Sequence, residues 1–370
     1  PVFAIVFTNY LQYFVPLSPA AQIAVRVLFV IVFVSVNIVG VKAAGRLNDV
    51  LTLAKLAPLL LIIVLGVGSI LLTPRLVGNY TPFAPLGVDS FGAAMVLIFW
   101  AYAGFELGSL PASEVVNPKK NVPRALISGM AIVIFFYVMT SVAVFGVVNW
   151  AQLAQTPIPL VLVSTALLGT AGAVITGVGA LASVSGTDET EVLGTARLMY
   201  AMSAEGLLPR SLQKVHPRFQ TPYVAILIEG AVALALSVFS GITQLISFAV
   251  FNLAVCYILV CLALTVLKKP GEHGLPGQAV LPWIGVAISL YLLYSTSLVD
   301  KIVGSIAVAL GIPVYLYFTK THVGELKAVA LSEEEIFRTN LEKQNRFLAN
   351  LVRLVRRAVE GRRRAASGRK

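Results

Sequence analysis

Apolar stretches long enough to cross a bilayer recur along the chain, and short segments rich in proline, glycine and charge separate them. A hydrocarbon core of about 30 Å needs about 20 residues of α-helix. The pattern predicts nine complete transmembrane helices, over residues 21–40, 50–72, 91–110, 125–148, 170–203, 222–240, 243–267, 279–299 and 301–319. Apolar side chains do not alternate every second residue, as they would in a transmembrane barrel. We therefore expect an all-α polytopic membrane protein.

The first 15 residues are also apolar, and they end at a turn that contains two prolines. As a helix they would be only about 22 Å long, too short to cross the bilayer. They lack the basic start and the cleavage site of a signal peptide. This pattern favours a helix whose beginning lies upstream of the sequence, and a re-entrant segment is the alternative.

Composition supports the membrane class and explains the net charge. The chain is 58% hydrophobic and 12% charged over 370 residues, which leaves too few polar groups to cover a water-soluble particle. Basic residues concentrate in every second connection between predicted spans: Lys42, Arg46, Lys119, Lys120, Arg124, Arg210, Lys214, Arg218, Lys268 and Lys269. Cytoplasmic loops carry such an excess, so these connections and the C-terminus are predicted to be cytoplasmic. The net charge of +11 thus requires no nucleic acid partner.

The last segment, residues 320–370, is predicted to be a basic cytoplasmic tail. Eight Arg or Lys residues follow Leu351, and Ser332 and Glu335 have the spacing of a capping box. Apolar residues recur there at helical intervals. The tail is therefore predicted to form an amphipathic helix that lies on anionic lipid, and a solvated helix that frays is the alternative.

The sequence shows no constellation typical of catalysis or metal binding. The three histidines, His216, His273 and His322, fall in connections without a second ligand at metal spacing. Cys256 and Cys261 share one predicted span and are five residues apart, beyond the reach of a disulfide on a helix. A phosphate-binding loop is also missing. We predict that the chain is not an enzyme and that it uses no metal or cofactor.

The predicted span 91–110 contains residues that favour an interruption of the helix. Gly104 and Gly108 lack a β-carbon, and Pro111 cannot continue the hydrogen-bond ladder. A broken helix presents free N–H and carbonyl groups at bilayer depth, which suit the two charges of an amino acid zwitterion. The alternative is that the glycines only let two helices approach closely.

The residues around this break carry a family resemblance. The stretch "FWAYAGFELGSLPASEVVNPKKNVPRALISG", residues 99–129, resembles the sixth helix and following loop of the amino acid–polyamine–organocation transporters. The matching positions are Phe99, Ala101, Tyr102, Gly104, Phe105, Glu106, Glu114, Asn117, Pro118, Lys120 and Pro123. The stretches "NIVGVKAAGRLNDVLTLAKLAPLLL", "NYTPFAPLG" and "GTARLMYAMSAEGLLPRSLQKVHPRFQTPYVA" are similar to other segments of the same family, in the same order.

The resemblance implies the five-plus-five inverted repeat of that family, followed by two trailing helices. On this register residue 1 falls inside the third helix, so the first two helices are not part of the sequence. We expect a transporter domain over residues 1–319, of about ten helices with the first one partial, followed by the tail.

The resemblance also implies where a substrate would bind. In related transporters, carbonyl groups at the sixth-helix break receive the substrate's ammonium group. Carried over by motif, these are the backbone oxygens of Trp100 and Ala103, with Gly104 leaving room for the ligand. The indole of Trp100 would stack on the substrate's side chain. Residues expected to bind substrate are Phe99, Trp100, Ala101, Ala103, Gly104 and Phe105.

Four ionisable residues in the predicted spans are candidates for gating or proton coupling. Glu106 has either such a role or a structural hydrogen bond to a neighbouring helix. Lys55 matches a lysine that replaces the sodium ion in proton-coupled relatives, and a snorkelling lysine is the alternative. Asp188 and Glu191 lie on one helix face, three residues apart. If the two carboxylates face Lys55, they would form an ion pair with it. If they face a cavity, they would favour cationic substrates. The alternative is a water-filled vestibule that exposes this part of the helix.

The function implied is secondary transport of amino acids across the cytoplasmic membrane, by proton symport or by exchange. The expected partners are then a small-molecule substrate, an amino acid that is either neutral or cationic, together with protons and the lipid bilayer. One alternative is an antiporter of cationic amino acids or polyamines. An alternative from another class is a membrane scaffold or sensor fragment that transports nothing.

Overall fold

The computed structural model describes residues 1–40, 44–85, 87–267 and 280–332. Within these ranges all regular secondary structure is helical, which confirms the predicted all-α class. The α-helices of the first part are α1 (Val2–Phe14), α2 (Pro19–Val39), α3 (Ala44–Leu72), α4 (Phe91–Trp100) and α5 (Pro118–Val147). Those of the second part are α6 (Trp150–Leu153), α7 (Pro159–Ala204), α8 (Tyr223–Phe239), α9 (Ile242–Leu267), α10 (Leu281–Ser295) and α11 (Leu298–Ser332). Three 3-10 helices, Pro74–Tyr80, Phe105–Glu114 and Arg210–Gln213, lie between them.

Seven helical segments in the described ranges are long and apolar enough to cross a membrane. Two of the nine predicted spans, 222–240 and 279–299, form the shorter apolar helices α8 and α10, of 17 and 15 residues. The helix α10 ends at Ser295, before the predicted limit of its span at residue 299. The Asp300 N–H donates to the Ser297 Oγ at 3.1 Å, so Ser297 begins the next helix slightly earlier than predicted.

Two long helices differ from the predicted spans in another way. At Gly169 (φ 62°, ψ −147°) α7 is kinked, and its second part, residues 170–204, matches the span predicted over 170–203. At the C-terminal end, α11 continues to Ser332, beyond the predicted limit at residue 319. The expected division between transporter domain and tail thus falls within a helix. The predicted amphipathic tail after residue 332 lies outside the described residues.

The helices pack so that the end of α4 contacts α1, α9 and α10. The main pairs are α3 with α5 and α7, α1 with α7, α2 with α8, and α9 with α4 and α10. A buried apolar cluster joins α1, α4, α9 and α10: Val2, Ile5, Val96, Leu245, Ile246, Val250, Ala254 and Leu292. Phe99 and Trp100 pack against this cluster, so the last turn of α4 is fixed in position.

The connection between α7 and α8 is folded tightly onto the end of α2. The Ser203 hydroxyl donates to the Pro209 carbonyl at 2.6 Å, and the His216 N–H donates to the Thr221 carbonyl at 2.8 Å. The Thr221 hydroxyl in turn donates to the Ile38 carbonyl at 2.6 Å. These hydrogen bonds tie together the ends of three helices, α2, α7 and α8.

Candidate functional site

The helical ladder of α4 ends at Trp100, and residues 101–104 form turns before the 3-10 helix begins. We call residues 101–104 the unwound segment. The N–H groups of Ala101, Tyr102 and Ala103 donate to carbonyls three residues back, at 3.0 to 3.1 Å. Gly104 has a φ of +102°, a conformation that glycine adopts readily and other residues avoid. The interruption thus lies at the glycine that the sequence indicates.

The carbonyl groups of the unwound segment differ in their hydrogen bonds. The Trp100 carbonyl accepts from the Ala103 N–H at 3.1 Å, and the Ala101 carbonyl accepts from the Tyr137 hydroxyl of α5 at 3.0 Å. Within the described ranges, no hydrogen bond reaches the carbonyls of Tyr102 and Ala103. Of the two carbonyls expected to receive a substrate, that of Ala103 is open and that of Trp100 already has one donor.

Glu106 bridges the unwound segment and a neighbouring helix. Its Oε2 accepts from the Gly104 N–H at 3.0 Å and from the hydroxyl of Tyr257, on α9, at 3.1 Å. The carboxylate therefore compensates an N–H that the broken ladder leaves without a partner. The sequence interpretation that gave Glu106 a hydrogen bond to another helix corresponds to this geometry.

Aromatic rings of α9 and α1 contact the residues that flank the unwound segment. The Tyr257 ring lies 6.0 Å from that of Phe99, edge to face, and 6.1 Å from that of Phe105, nearly parallel. The Trp100 ring lies 5.7 Å from Phe3 of α1. Tyr257 thus contributes both ring contacts and a hydrogen bond to the region of the break.

A carboxylate of α7 lies close to the unwound segment, and it belongs to a group of acids on α7 and α8. A β-carbon placed on Gly104 would lie 4.0 Å from Oε2 of Glu191. Asp188 and Glu191 both act electrostatically on Glu229 of α8. The Oε2 atom of Glu229 is buried, with no hydrogen-bond partner in the described part of the chain. The face of α7 that carries Asp188 and Glu191 therefore points toward α8 and the break.

Lys55 lies on the other side of α7. Its Nζ is 3.5 Å from the Thr187 Oγ1, and the carboxylate that acts on it is that of Glu189. The side chain is half-buried between α3 and α7. Among the described residues, Lys55 forms no ion pair with Asp188 or Glu191, which was one of the arrangements the sequence left open.

Three residues of the site were missed by the sequence interpretation: Tyr137, Glu229 and Tyr257. Glu229 had a signal, because it is the only acid in the apolar run 222–240, and an acid in a span is a candidate functional residue. The two tyrosines had none, since each acts through a contact between helices distant in sequence. In the described ranges, no group of three or more His, Cys, Asp or Glu side chains could hold a metal ion.

Comparisons with known proteins show which family the chain belongs to. A family model described as amino acid permease matches residues 1–315. A branched-chain amino acid permease of Bacillus subtilis is 30% identical over 290 residues, which are 76% of this chain and 61% of that protein. A methylthioribose transporter of the same species is 31% identical over 289 residues, with coverages of 76% and 61%.

A serine/threonine exchanger of Bacillus subtilis is 28% identical over 306 residues, 79% of this chain and 67% of that protein. The three names agree with the prediction that the chain is not an enzyme. The chain spans 61% of the length of the first two relatives. The family model covers most of the sequence, and the motifs around Gly104 agree with it. The chain therefore belongs to the amino acid permease family, among the amino acid–polyamine–organocation transporters.

Proposed function

We propose that the protein is a secondary transporter of amino acids and that it binds its substrate at the unwound segment. The observation that carries the proposal is the interruption of α4 at Gly104, inside an apolar segment of spanning length. Non-helical backbone at bilayer depth is tolerated only where it is buried in protein or lines a cavity. Broken helices with this arrangement are typical of substrate sites in secondary transporters.

The open carbonyl of Ala103 is the group best suited to the substrate's ammonium. Its oxygen has no partner in the described part of the chain, and an ammonium supplies three donors. The Trp100 carbonyl has a second lone pair that is able to accept as well. Gly104 leaves space beside them, because a β-carbon there would have no neighbour closer than 4.0 Å. The residues assigned to the substrate are Phe99, Trp100, Ala101, Ala103, Gly104 and Phe105.

Gating and coupling are assigned to the ionisable residues around this segment. Glu106 holds the Gly104 N–H and the Tyr257 hydroxyl, so a change in its protonation alters the anchoring of the break. Lys55 exchanges protons in the transport cycle, in a half-buried position beside Thr187. Asp188 and Glu191 complete the acidic side of the site. Proton symport and amino acid exchange are both compatible with this arrangement.

A second candidate function is exchange of cationic amino acids or polyamines. It is favoured by three carboxylates, those of Asp188, Glu191 and Glu229, which act on one another electrostatically, with Glu191 beside Gly104. One oxygen of Glu229 is buried without a partner in the described residues. A buried carboxylate requires a hydrogen-bond donor, a proton or a cation. The positively charged side chain of a substrate would meet this requirement.

The proposed location is the cytoplasmic membrane, with the C-terminus in the cytoplasm. Basic residues concentrate in alternate connections, as the positive-inside rule expects. The basic tail would then lie beside the anionic lipids of the inner leaflet.

Uptake by the product of the complete gene in proteoliposomes tests the function. Radiolabelled leucine, serine and lysine are offered with and without a pH gradient, and unlabelled amino acids and polyamines compete. Saturable uptake of a neutral amino acid supports the first proposal, and strongest competition by lysine, arginine or a polyamine supports the second. Absence of uptake and of binding for the whole panel would favour the scaffold or sensor alternative.

A further inference from the structure

We propose that Tyr137 of α5 is a positioning residue that holds the unwound segment in its broken conformation. Through this contact it keeps the Ala103 carbonyl available to a substrate. The part of the inference that concerns substrate rests on the proposed function. The part that concerns the conformation of the segment stands on the geometry alone.

The hydrogen bond of Tyr137 replaces one that an unbroken helix would form. In a continuous α-helix the Ala101 carbonyl would accept from the N–H of Phe105, four residues later. In the structure it accepts from the Tyr137 hydroxyl at 3.0 Å instead. If the segment rewound, the Ala101 carbonyl would turn toward the Phe105 N–H, and the Tyr137 hydroxyl would keep its acceptor only by sharing that oxygen in a different geometry. Tyr137 therefore stabilises the broken form relative to the helical form, and such a difference is what shifts a conformational equilibrium.

Tyr137 contacts the segment through its ring as well. Its ring centroid lies 5.1 Å from that of Tyr102, at an interplanar angle of 65°. Edge-to-face packing of this kind is favourable for an aromatic pair. The Tyr102 hydroxyl forms no hydrogen bond within the described ranges. The two tyrosines thus share one ring contact, but only the hydroxyl of Tyr137 acts on the backbone.

The segment is anchored at both of its ends, from opposite neighbours. Tyr137 of α5 holds the carbonyl of Ala101, and Glu106, itself bonded to α9, holds the N–H of Gly104. The two carbonyls without partners in the described chain, those of Tyr102 and Ala103, lie between these anchors. Loss of the α5 anchor lets the segment rewind from its N-terminal side, and rewinding would redirect the Ala103 carbonyl along the helix axis.

Two substitutions separate the hydroxyl from the ring: Tyr137→Phe removes the bonded hydroxyl, and Tyr102→Phe removes the unbonded one from the same ring pair. Hydrogen exchange of the peptide spanning residues 99–108 is measured in the full-length protein in nanodiscs, without substrate. For Tyr137→Phe we expect the exchange of this peptide to slow by about 3- to 10-fold, the factor that corresponds to one hydrogen bond, because a rewound segment regains helical hydrogen bonds; faster exchange overturns the inference. Tyr102→Phe should match the wild type. Equal exchange in the wild type and Tyr137→Phe, or the same change in both variants, overturns the inference.

The second measurement is equilibrium binding of the amino acid that the wild type transports. Tyr137→Phe should weaken the affinity for this amino acid by about 3- to 10-fold. The thermal unfolding midpoints of the Tyr137→Phe and Tyr102→Phe variants should be equal. Changed exchange with unchanged affinity overturns the substrate part of the inference. If the wild type binds no amino acid, the proposed function and the substrate part fail together, and the exchange measurement still decides whether Tyr137 sets the conformation of the segment.

Discussion

At the scale of single residues, the break in α4 depends on the backbone of Gly104 rather than on the space around it. Its φ of +102° lies in a region that residues with a β-carbon adopt only at a cost. A β-carbon there would meet no atom closer than 4.0 Å. Substitution at this position is therefore expected to act through the conformation of the chain.

We expect Gly104→Ala to destabilise the broken conformation by about 1–3 kcal/mol and to weaken substrate binding correspondingly. The measurement is equilibrium binding of the transported amino acid in detergent or nanodiscs. Gly129→Ala in α5 is the matched control, because that glycine has open space around its β-carbon position and lies within a helix. Equal affinity in the two variants would contradict the assignment of the site to this segment.

A second residue-scale prediction concerns Lys55. We expect Lys55→Ala to abolish accumulation driven by a pH gradient and to leave some substrate binding, because the contacts of the lysine are with Thr187 and Glu189 of α7 rather than with the unwound segment. Uptake with and without an imposed gradient, together with binding, measures both effects. Lys301→Ala is the control, since the Lys301 ammonium donates to the Tyr294 carbonyl at a helix turn. Gradient-driven uptake at the wild-type level would argue against coupling through Lys55.

At the scale of helices, close packing of small residues joins α3 to α5. A β-carbon on Gly66 would lie 2.7 Å from the β-carbon and 3.3 Å from the α-carbon of Ala143. Lipid tails are as apolar as the side chains, so helices in a bilayer associate through such close contacts rather than through the hydrophobic effect. A single added methyl group at this contact must push the two helices apart.

We therefore expect Gly66→Ala to destabilise the protein by about 1–3 kcal/mol, the range typical of an overpacked contact. Gly68→Ala, two residues further along α3, should be neutral or slightly stabilising, because its β-carbon position has no neighbour within 4 Å. Thermal unfolding of both variants in the same detergent gives the comparison. Identical unfolding midpoints in the two variants would show that α5 moves aside without loss of stability, which would contradict the prediction.

Most helices could be predicted from the sequence, because a long apolar run in a bilayer must form a helix to satisfy its own backbone hydrogen bonds. It also located the break, since Gly104 and Pro111 are local backbone signals. The partners of the break could not be predicted in the same way. Tyr137 and Tyr257 reach the segment from helices 36 and 151 residues away in sequence from their acceptors, and only tertiary packing brings them there.

At the scale of the whole molecule, the distribution of charge fixes the predicted orientation in the membrane. Arg75, in the connection between α3 and α4, and Lys214, in the connection between α7 and α8, are both exposed. The positive-inside rule assigns Lys214 to the cytoplasm and Arg75 to the opposite side.

Cysteine labelling tests this orientation, in a background in which Cys256 and Cys261 are replaced by Ser. A membrane-impermeant maleimide should label the Arg75→Cys variant in intact cells. It should label the Lys214→Cys variant only after the membrane is permeabilised. The reverse pattern would invert the topology, and with it the side on which the basic tail lies.

The hydrogen-bonded connection between α7 and α8 has a mechanical consequence. Because the hydroxyls of Thr221 and Ser203 fasten it to the ends of α2 and α7, we expect a tilt of α7 to move the adjoining ends of α2 and α8 with it. Asp188 and Glu191 lie on α7 and Glu229 lies on α8, so the distances between these three carboxylates should change little in such a movement. The distance expected to change is the one between these three carboxylates and the backbone at Gly104.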